Sequence, residues 1–323
     1  MTNAADYDNW FAGRRILLTG GYGFLGKAIK RVAEDKGATV ISTDVSAHAS
    51  AHEYLDVTSA MRSVTSVLEY EPEVIIHLAG VSHINEAQHG PFRAFDVNVL
   101  GTINVLRAAV KLKGKRLYPT RLVIASSNHV YGSHPAMSAR TEDSPLNQLD
   151  VYGASKHCQD VLARALGMAA MIPTVALRHV NAYGPGGHTS HLTTAACLAA
   201  ITGCSLALRS DGSPRKAYLY VDDVAAAYLA LAKHADDRNV IGRAFNAAPA
   251  GAPPSVLEWI DTINQVASDR GFPAKSPVPF QQGRGEQTGY YEHLDATALR
   301  DATGWWPRVS PDQGIGRLLD SLG

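Results

Sequence analysis

The chain has 323 residues, no formal net charge and 46% hydrophobic residues, enough for a sizeable core in one large domain or two closely packed domains. A sequence pI of about 7.2 gives no reason to expect nucleic acid or a membrane surface as a partner. No apolar run reaches the length of about 18 residues that marks a membrane span, and segment 1–10 lacks the features of a signal peptide. The three cysteines have no metal-ligand spacing, and their odd number argues against a disulfide framework. These features predict a cytoplasmic protein without a metal site.

Strand and helix patterns alternate through the first half of the chain. Apolar runs predict strands over 14–19, 38–44, 74–78, 122–125 and 174–177. Helical patterns cover 24–36, 57–70, 91–110 and 150–166. Gly37 and Gly167 are the predicted ends of the first and last helices, and Pro91 is placed in the first turn of the third. The alternation predicts an α/β fold, a Rossmann-type doubly wound parallel sheet.

The pattern changes after about residue 181. A Gly-Pro-Gly-Gly run occupies 184–187, and prolines recur through the rest of the chain. We therefore predict a first domain of 1–180 plus about 218–246, and a smaller C-terminal lobe of 181–217 and 247–323.

Three glycines lie between the first strand and the first helix. Gly20 permits a tight turn, Gly23 carries no side chain that would hold a pyrophosphate away, and Gly26 allows the helix to approach the strand. The amides at the helix N-terminus favour an anion. This context predicts a dinucleotide site, with an ordinary glycine-rich turn as the alternative.

Asp44 ends the second strand, where a carboxylate can accept hydrogen bonds from both hydroxyls of an adenosine ribose. It would repel a 2′-phosphate, and segment 45–47 holds no arginine to reverse that effect, so the sequence favours NAD over NADP. Asp56 has two compatible interpretations, a partner of the adenine amino group or a helix N-cap before Val57.

Tyr152 and Lys156 are four residues apart on a predicted helix and therefore share a face. A neighbouring ammonium and an oxidised nicotinamide would both lower the pKa of the tyrosine, so that it can act as a base. Ser127 follows a buried strand at the sheet edge where such folds bind ligands, and its hydroxyl could bond the substrate oxygen.

With these motifs, the chain resembles the extended short-chain dehydrogenases/reductases of the NAD-dependent epimerase/dehydratase family, from Ile16 to about Ile315. Further matching segments are 77–80, 96–102, 177–186, 220–224 and 304–307, together with Asp295. The resemblance implies an NAD-binding first domain, a substrate-binding lobe and a nucleotide-diphosphate sugar or related sugar as substrate. It also implies a homodimer in which helices 98–110 and 152–166 pair between subunits.

The resemblance also implies individual roles. Tyr152 would be the catalytic acid or base, Lys156 its partner and ribose ligand, and Ser127 the residue that holds the reacting sugar oxygen. Asn181 would contact the substrate phosphate region, Arg284 would bind the pyrophosphate with its guanidinium group, and Asn98 would order backbone. The implied cofactor-binding residues are Gly20, Gly23, Phe24, Leu25, Gly26, Asp44, Asp56, Val57, Leu78, Ala79, Gly80, Tyr152 and Lys156.

The two residues that directly follow Ser127 differ from those of the family's 4,6-dehydratases, which carry an Asp-Glu pair at these positions. Asn128 cannot act as a general acid, so dehydration is disfavoured. His129 could titrate near neutrality or form a wall of the sugar pocket. The Ser-Asn-His order also resembles uronate dehydrogenases of the superfamily, although those enzymes are shorter and lack a long C-terminal lobe of this kind.

Two further positions bear on the substrate. Lys216 stands where an arginine is usual and keeps the charge without the bidentate geometry, which would weaken the contact with the nucleotide diphosphate. His83 follows the third strand and could reach the pocket or serve a structural role.

Three functions follow from these residues. The first is an NAD-dependent nucleotide-sugar epimerase of the 4-epimerase type. The second is a net oxidoreductase, either a nucleotide-4-keto-6-deoxysugar reductase or a sugar or uronate dehydrogenase. The third is a non-enzymatic dinucleotide-sensing scaffold, which the intact set of Ser127, Tyr152 and Lys156 argues against.

Overall fold

A computed structural model describes residues 9–46, 53–115, 118–132, 138–148, 150–277 and 291–323. Within these ranges the strands are β1 Arg15–Thr19, β2 Thr39–Thr43, β3 Val74–His77, β4 Arg121–Ala125, β5 Thr174–His179, β6 Asn181–Tyr183, β7 Arg215–Lys216, β8 Tyr218–Tyr220, β9 Ala244–Ala247 and β10 Tyr291–Glu292. The helices are α1 Phe24–Glu34, α2 Ala60–Tyr70, α3 Ile84–His89, α4 Pro91–Phe95, α5 Gly101–Lys113, α6 Val151–Ala170, α7 Leu192–Thr202, α8 Val221–His234, α9 Val256–Asp269, α10 Thr297–Thr303 and α11 Pro311–Leu322. None of the described helices is long and apolar enough to cross a membrane.

A six-stranded parallel sheet organises the molecule, with the order β2-β1-β3-β4-β5-β9. The chain changes direction across the sheet between β1 and β3, because β2 lies on one side of β1 and the later strands lie on the other. Ligands of doubly wound sheets bind beyond the carboxyl ends of the strands at such a switch point. The predicted α/β doubly wound sheet is therefore confirmed.

Side chains of each central strand alternate between two cores. Ile16 and Leu18 of β1 belong to the larger core, and Leu17 between them belongs to the smaller core on the opposite face. All three are fully buried. Burial on both faces explains why these strands appear in the sequence as continuous apolar runs.

Gly167 does not end the helix that was predicted over 150–166. Helix α6 continues to Ala170, and Met171 in the left-handed conformation forms its C-cap. A Cβ atom at Gly167 would lie 2.2 Å from Oγ1 of Thr174. Gly167 therefore permits the close approach of α6 to β5 instead of marking a helix end.

Two other helix boundaries differ from the predictions. Helix α2 begins at Ala60 and not at residue 57, because the Ser59 side chain caps it by accepting a hydrogen bond from the Arg62 amide. The helix predicted over 91–110 does begin at Pro91, but a π-helical segment, Asp96–Leu100, separates α4 from α5. The buried side chain of Asn98 lies in that segment.

Candidate active site

A cavity of about 1940 Å³ lies at the carboxyl ends of the sheet strands. Residues from 181 onward form part of its lining. Every predicted cofactor or substrate residue that the structure describes lines this cavity. Arg284 lies outside the described residues. The fold thus brings together residues as far apart in the sequence as Gly20 and Lys216.

The glycine turn forms one end of the cavity. Gly20 has a φ of +70°, and a Cβ atom there would lie 2.8 Å from the amide nitrogen of Ala79. Gly23 is the N-cap residue of α1 and supplies no side-chain hydrogen bond to the first turn. Since the first amides of a helix have no partner within the helix, this end of α1 suits a phosphate group.

The Asp44 carboxylate is held beside the glycine turn by two backbone amides. The amide of Tyr22 donates to Oδ2 at 3.1 Å, and the amide of Ser46 donates to Oδ1 at 3.0 Å. Each carboxylate oxygen has capacity for a further hydrogen bond, as a ribose diol requires. The geometry therefore fits the adenosine ribose of NAD.

We expect Asp44→Asn to weaken NAD binding by about 10- to 100-fold, which corresponds to the loss of hydrogen bonds to a charged acceptor. Binding of NADP should weaken less or improve, because the repulsion of its 2′-phosphate is removed. Dissociation constants for both dinucleotides, measured by calorimetry, check this expectation. An unchanged ratio of the two constants would show that Asp44 does not select the cofactor.

Asp56 is not the N-cap of α2, because Ser59 has that position. Its Oδ1 accepts hydrogen bonds from the amide and the hydroxyl of Thr58, at 2.9 and 2.8 Å. This local turn fixes the carboxylate at the wall of the cavity. A contact with the adenine amino group stays a prediction.

Tyr152 lies on α6 with 8% of its surface exposed, and its side chain forms a hydrogen bond with Ser127. Burial raises the pKa of Tyr152, the Ser127 hydrogen bond opposes the rise, and the charge of Asp150 adds to it. The sequence had suggested a lowered pKa through Lys156. The difference arises because burial of the phenol outweighs the hydrogen bond from Ser127.

Lys156 is buried beneath this site and has two hydrogen-bond acceptors. Its Nζ donates to the carbonyl oxygen of Ala125 and to Oε1 of Gln159, both at 2.9 Å. Burial lowers the pKa of Lys156 to about 8. Gln159 was not among the predicted site residues, although its position three residues after Lys156 on one helix face could have indicated it.

Gln159 is itself fixed by a buried network. Its Nε2 donates to Oγ1 of Thr102 at 2.9 Å, and that hydroxyl donates to the carbonyl oxygen of Asn98 at 2.6 Å. Since the Thr102 proton is thus used, Nε2 of His77 must be the donor in its 3.0 Å contact with Thr102. His77 is neutral, because burial and then the charge of Lys156 lower its pKa to about 3.

Lys156 gives the stability of the protein a defined pH dependence. The folded state disfavours its ammonium, so the unfolded chain binds this proton more tightly between about pH 8 and pH 10.5. We expect the free energy of unfolding of the wild type to rise with pH through that window, relative to Lys156→Met, by up to about 3 kcal/mol. Urea unfolding of both proteins over a pH series measures the difference. A constant difference would contradict the lowered pKa.

Asn98 contributes to the same region by ordering backbone, as the sequence predicted. Its Oδ1 accepts from the amide of Val81 at 2.8 Å, and its Nδ2 donates to the carbonyl oxygen of Val81 at 3.2 Å. Nδ2 also donates to Oγ of Ser155 at 2.8 Å. These bonds join the segment after β3 to α6.

The loop that carries Ser127 is anchored from below. Oγ of Ser126 donates to Oδ2 of Asp160 at 2.8 Å, and Nε of Arg178 donates to the same oxygen at 2.9 Å. Burial would raise the pKa of Asp160, but the charges of Arg178 and Arg164 outweigh it and lower the pKa. The buried ion pair therefore fixes the loop at the end of β4.

Asn128 and His129 form the wall of the cavity next to Tyr152. Asn128 is 8% exposed, and its Nδ2 has no hydrogen-bond partner among the described residues. The rings of His129 and Tyr152 meet edge to face with centroids 5.4 Å apart. A buried amide without a partner at a cavity wall is suited to a hydrogen bond with a ligand.

Glu292 lies behind His129 and was missed by sequence reasoning. Its Oε1 lies 3.9 Å from Nε2 of His129, and only 6% of the residue is exposed. Nδ2 of Asn181 donates both to the Glu292 carboxylate and to the carbonyl oxygen of Ala217. The structure thus shows Asn181 ordering Glu292, and its contact with a substrate phosphate stays a prediction.

The pairing of β7 with β10 explains how Glu292 reaches the site. Glu292 is opposite Lys216 in that two-stranded parallel sheet. Lys216 also lines the cavity. No sequence motif surrounds Glu292, so only the folded chain brings its carboxylate to His129.

The family model for the NAD dependent epimerase/dehydratase family matches residues 16–248. The chain belongs to this family. It is therefore an enzyme of the nucleotide-sugar epimerase/dehydratase group, and NAD is its cofactor.

Individual relatives differ in their reactions. The chain is 25% identical to a probable UDP-glucuronate 4-epimerase of Rhizobium meliloti, over 95% of this chain and 96% of the relative. It is 26% identical to a dTDP-glucose 4,6-dehydratase of Neisseria gonorrhoeae, over 95% and 94% of the two chains. The crystal structure of a UDP-glucose 4-epimerase from Thermotoga maritima with UDP-glucose superposes with a TM-score of 0.82 at 20% identity, covering 95% of this chain and 98% of that one.

Proposed function

We propose that this member of the family is an NAD-dependent nucleotide-sugar epimerase of the 4-epimerase type. Bound NAD would supply a hydride acceptor and donor for a sugar carbinol carbon. The phenolate oxygen of Tyr152 would take the proton from the same carbinol and become the hydroxyl, while Ser127 holds the sugar oxygen. After the ketone turns in the pocket, Tyr152 gives the proton back while hydride returns to the other face.

Lys156 and its partners support the proton transfer. The ammonium donates hydrogen bonds to the carbonyl oxygen of Ala125 at the end of β4 and to Gln159 of α6. It therefore lies fixed on the helix face that also carries Tyr152, where its positive charge favours a phenolate during the reaction. We propose that this ammonium also donates a hydrogen bond to the ribose of a bound dinucleotide.

The Asn128 side chain is the observation that carries the proposal. A 4,6-dehydration requires an acid to protonate the leaving hydroxyl, and an amide cannot supply that proton. The buried Nδ2 of Asn128, without a described partner, can instead bind the sugar. Transient oxidation and reduction at one carbon, with NAD as the hydride acceptor and donor, needs no further acid beside Ser127, Tyr152 and Lys156.

Retention of the cofactor and the outcome of the reaction test this proposal. An epimerase is expected to purify with bound NAD and to interconvert a UDP- or GDP-sugar pair without net formation of NADH. Nucleotides released by denaturation and the sugar products can be identified by mass spectrometry and NMR. A protein that purifies empty and forms NADH in step with product would instead be a net oxidoreductase, which the Ser-Asn-His order also allows.

We propose a homodimer formed by the surface of α5 and α6. Leu100 just before α5 is 40% exposed, and Val161, Leu162 and Leu166 of α6 are 42%, 37% and 40% exposed. Apolar side chains at neighbouring helical positions are typical of an interface between helices.

Leu162→Asp is expected to raise the dimer dissociation constant by about 100-fold, because an unpaired carboxylate would be buried at the interface. Met61→Asp on α2 is the matched control, since Met61 is an exposed apolar residue outside this surface. Sedimentation velocity compares the two variants. Equal association of both would place the interface elsewhere.

A further inference from the structure

Three histidines from separate parts of the chain form a cluster at the cavity. His83 precedes α3, His188 lies in the loop after β6, and His191 precedes α7. The ring centroids are 5.4 Å apart for His83 and His191, 6.0 Å for His83 and His188, and 6.3 Å for His188 and His191. We call these residues the histidine cluster. It lines the same cavity as Tyr152 and Lys156.

The hydrogen bonds of His188 determine which ring nitrogen can donate. The amide of Ser190 donates to Nδ1 of His188 at 3.1 Å. Nδ1 therefore acts as an acceptor, and in the neutral ring the proton is on Nε2. His188 thus offers an N–H donor without becoming charged.

His191 is held in its neutral form. Burial lowers its pKa, and the neighbouring imidazoles of His83 and His188 lower it further. No carboxylate forms an ion pair with the cluster among the residues that the structure describes. Charged residues of other elements that line the same cavity are Asp44, Asp56, Glu86, Arg93, Asp96, Lys156, Arg209 and Lys216.

An anion between these rings would change their protonation. It would accept N–H hydrogen bonds from the imidazoles and offset their mutual repulsion. The pKa of His191 would rise on binding, so the complex would hold more protons than the free protein. The described residues contain no group of His, Cys, Asp or Glu able to hold a metal ion.

We propose that the histidine cluster binds an anionic group of the substrate, a carboxylate or a phosphoryl group, and takes up protons as it does so. The proposal rests on the proposed function in that the ligand is a nucleotide sugar. It adds a recognition site formed by the residues before α3 and α7 and by the loop after β6. Because binding is coupled to proton uptake, affinity is expected to increase as the pH is lowered.

Calorimetric binding of UDP-glucose and UDP-glucuronate at about pH 6 and about pH 8 tests the proposal. These probes differ only in a hydroxymethyl group or a carboxylate on the sugar, and neither has a phosphate that titrates in this range. We expect about five- to ten-fold tighter binding at the lower pH, with net proton uptake detected from the buffer dependence of the enthalpy. A gain for both ligands identifies the pyrophosphate as the bound group, whereas a gain for UDP-glucuronate alone identifies the carboxylate.

The double variant His83→Gln/His191→Gln should lose this pH-dependent gain. The single variant His83→Gln, at an exposed position, should lose part of the pH-dependent gain. It provides a second test in case the double variant misfolds. His234→Gln is the matched control, because His234 bonds to Asp237 outside the cavity.

Equal affinities at both pH values, an unchanged gain in the double variant or failure to bind either probe would overturn the proposal. The epimerase proposal fails separately, through absence of bound NAD or absence of epimer interconversion. If the protein binds these ligands with proton uptake but forms NADH in net amounts, the proposed anion site of the histidine cluster stands and the epimerase proposal fails.

Discussion

Tyr152→Phe is expected to lower turnover by about 10²- to 10⁴-fold, the range that a positioned acid or base contributes. The substitution removes only the hydroxyl that is hydrogen-bonded to Ser127. Binding of NAD should persist, because the glycine turn and Asp44 are unaffected. Turnover of the nucleotide sugar that the wild type converts, together with calorimetric NAD binding, separates the two effects.

Tyr228→Phe is the matched control for this loss. The Tyr228 hydroxyl is also buried, and it has no hydrogen-bond partner among the described residues. Removing it should leave turnover close to that of the wild type. Comparable loss in both variants, or near-normal turnover of Tyr152→Phe, would show that the phenol of Tyr152 is not the proton acceptor.

The sheet and the cofactor end of the site could be predicted because local sequence determines them. Buried strands of a parallel sheet are continuous apolar runs, and the Gly20–Gly26 turn joins adjacent elements. The predicted helix ends were less accurate where a glycine allows close packing instead of ending a helix. Gly167 is required by its contact with Thr174, and nothing in the sequence distinguishes that requirement from a C-cap.

The sugar side of the cavity was predictable only in part. Asn128 and His129 follow Ser127 directly, whereas Glu292 reaches His129 through the pairing of β10 with β7. Such a contact depends on long-range pairing of two very short strands, which carries no periodic signal. His188 and His191 were missed for the same reason, because only the fold brings them to His83.

The direction of a pKa shift was also beyond the sequence. Spacing places Lys156 on the same helix face as Tyr152, but the extent of burial decides which charged form is favoured. Burial raises the pKa of Tyr152 and lowers that of Lys156. The two shifts oppose charge separation between Tyr152 and Lys156, and the positive charge of an oxidised nicotinamide would favour the phenolate.

Two glycines of the turn should separate cofactor binding from folding. A Cβ atom at Gly26 would lie 2.6 Å from the backbone of Gly20 and Gly21, so Gly26→Ala forces α1 away from the turn. A Cβ atom at Gly23 would meet only the carbonyl oxygen of Gly20, at 3.3 Å, and would project into the cavity. We expect Gly26→Ala to lower the free energy of unfolding by about 1–3 kcal/mol and to weaken NAD binding as well.

Gly23→Ala should leave the free energy of unfolding nearly unchanged, because its φ of −70° suits any residue. It should nevertheless weaken NAD binding by about 10- to 100-fold, since the methyl group would hold the pyrophosphate away from the amides of α1. Lys27→Ala, an exposed change in the same helix, is the control for both measurements. Urea unfolding and NAD calorimetry on the three variants decide the matter: normal NAD binding by Gly23→Ala would place the pyrophosphate away from the N-terminus of α1.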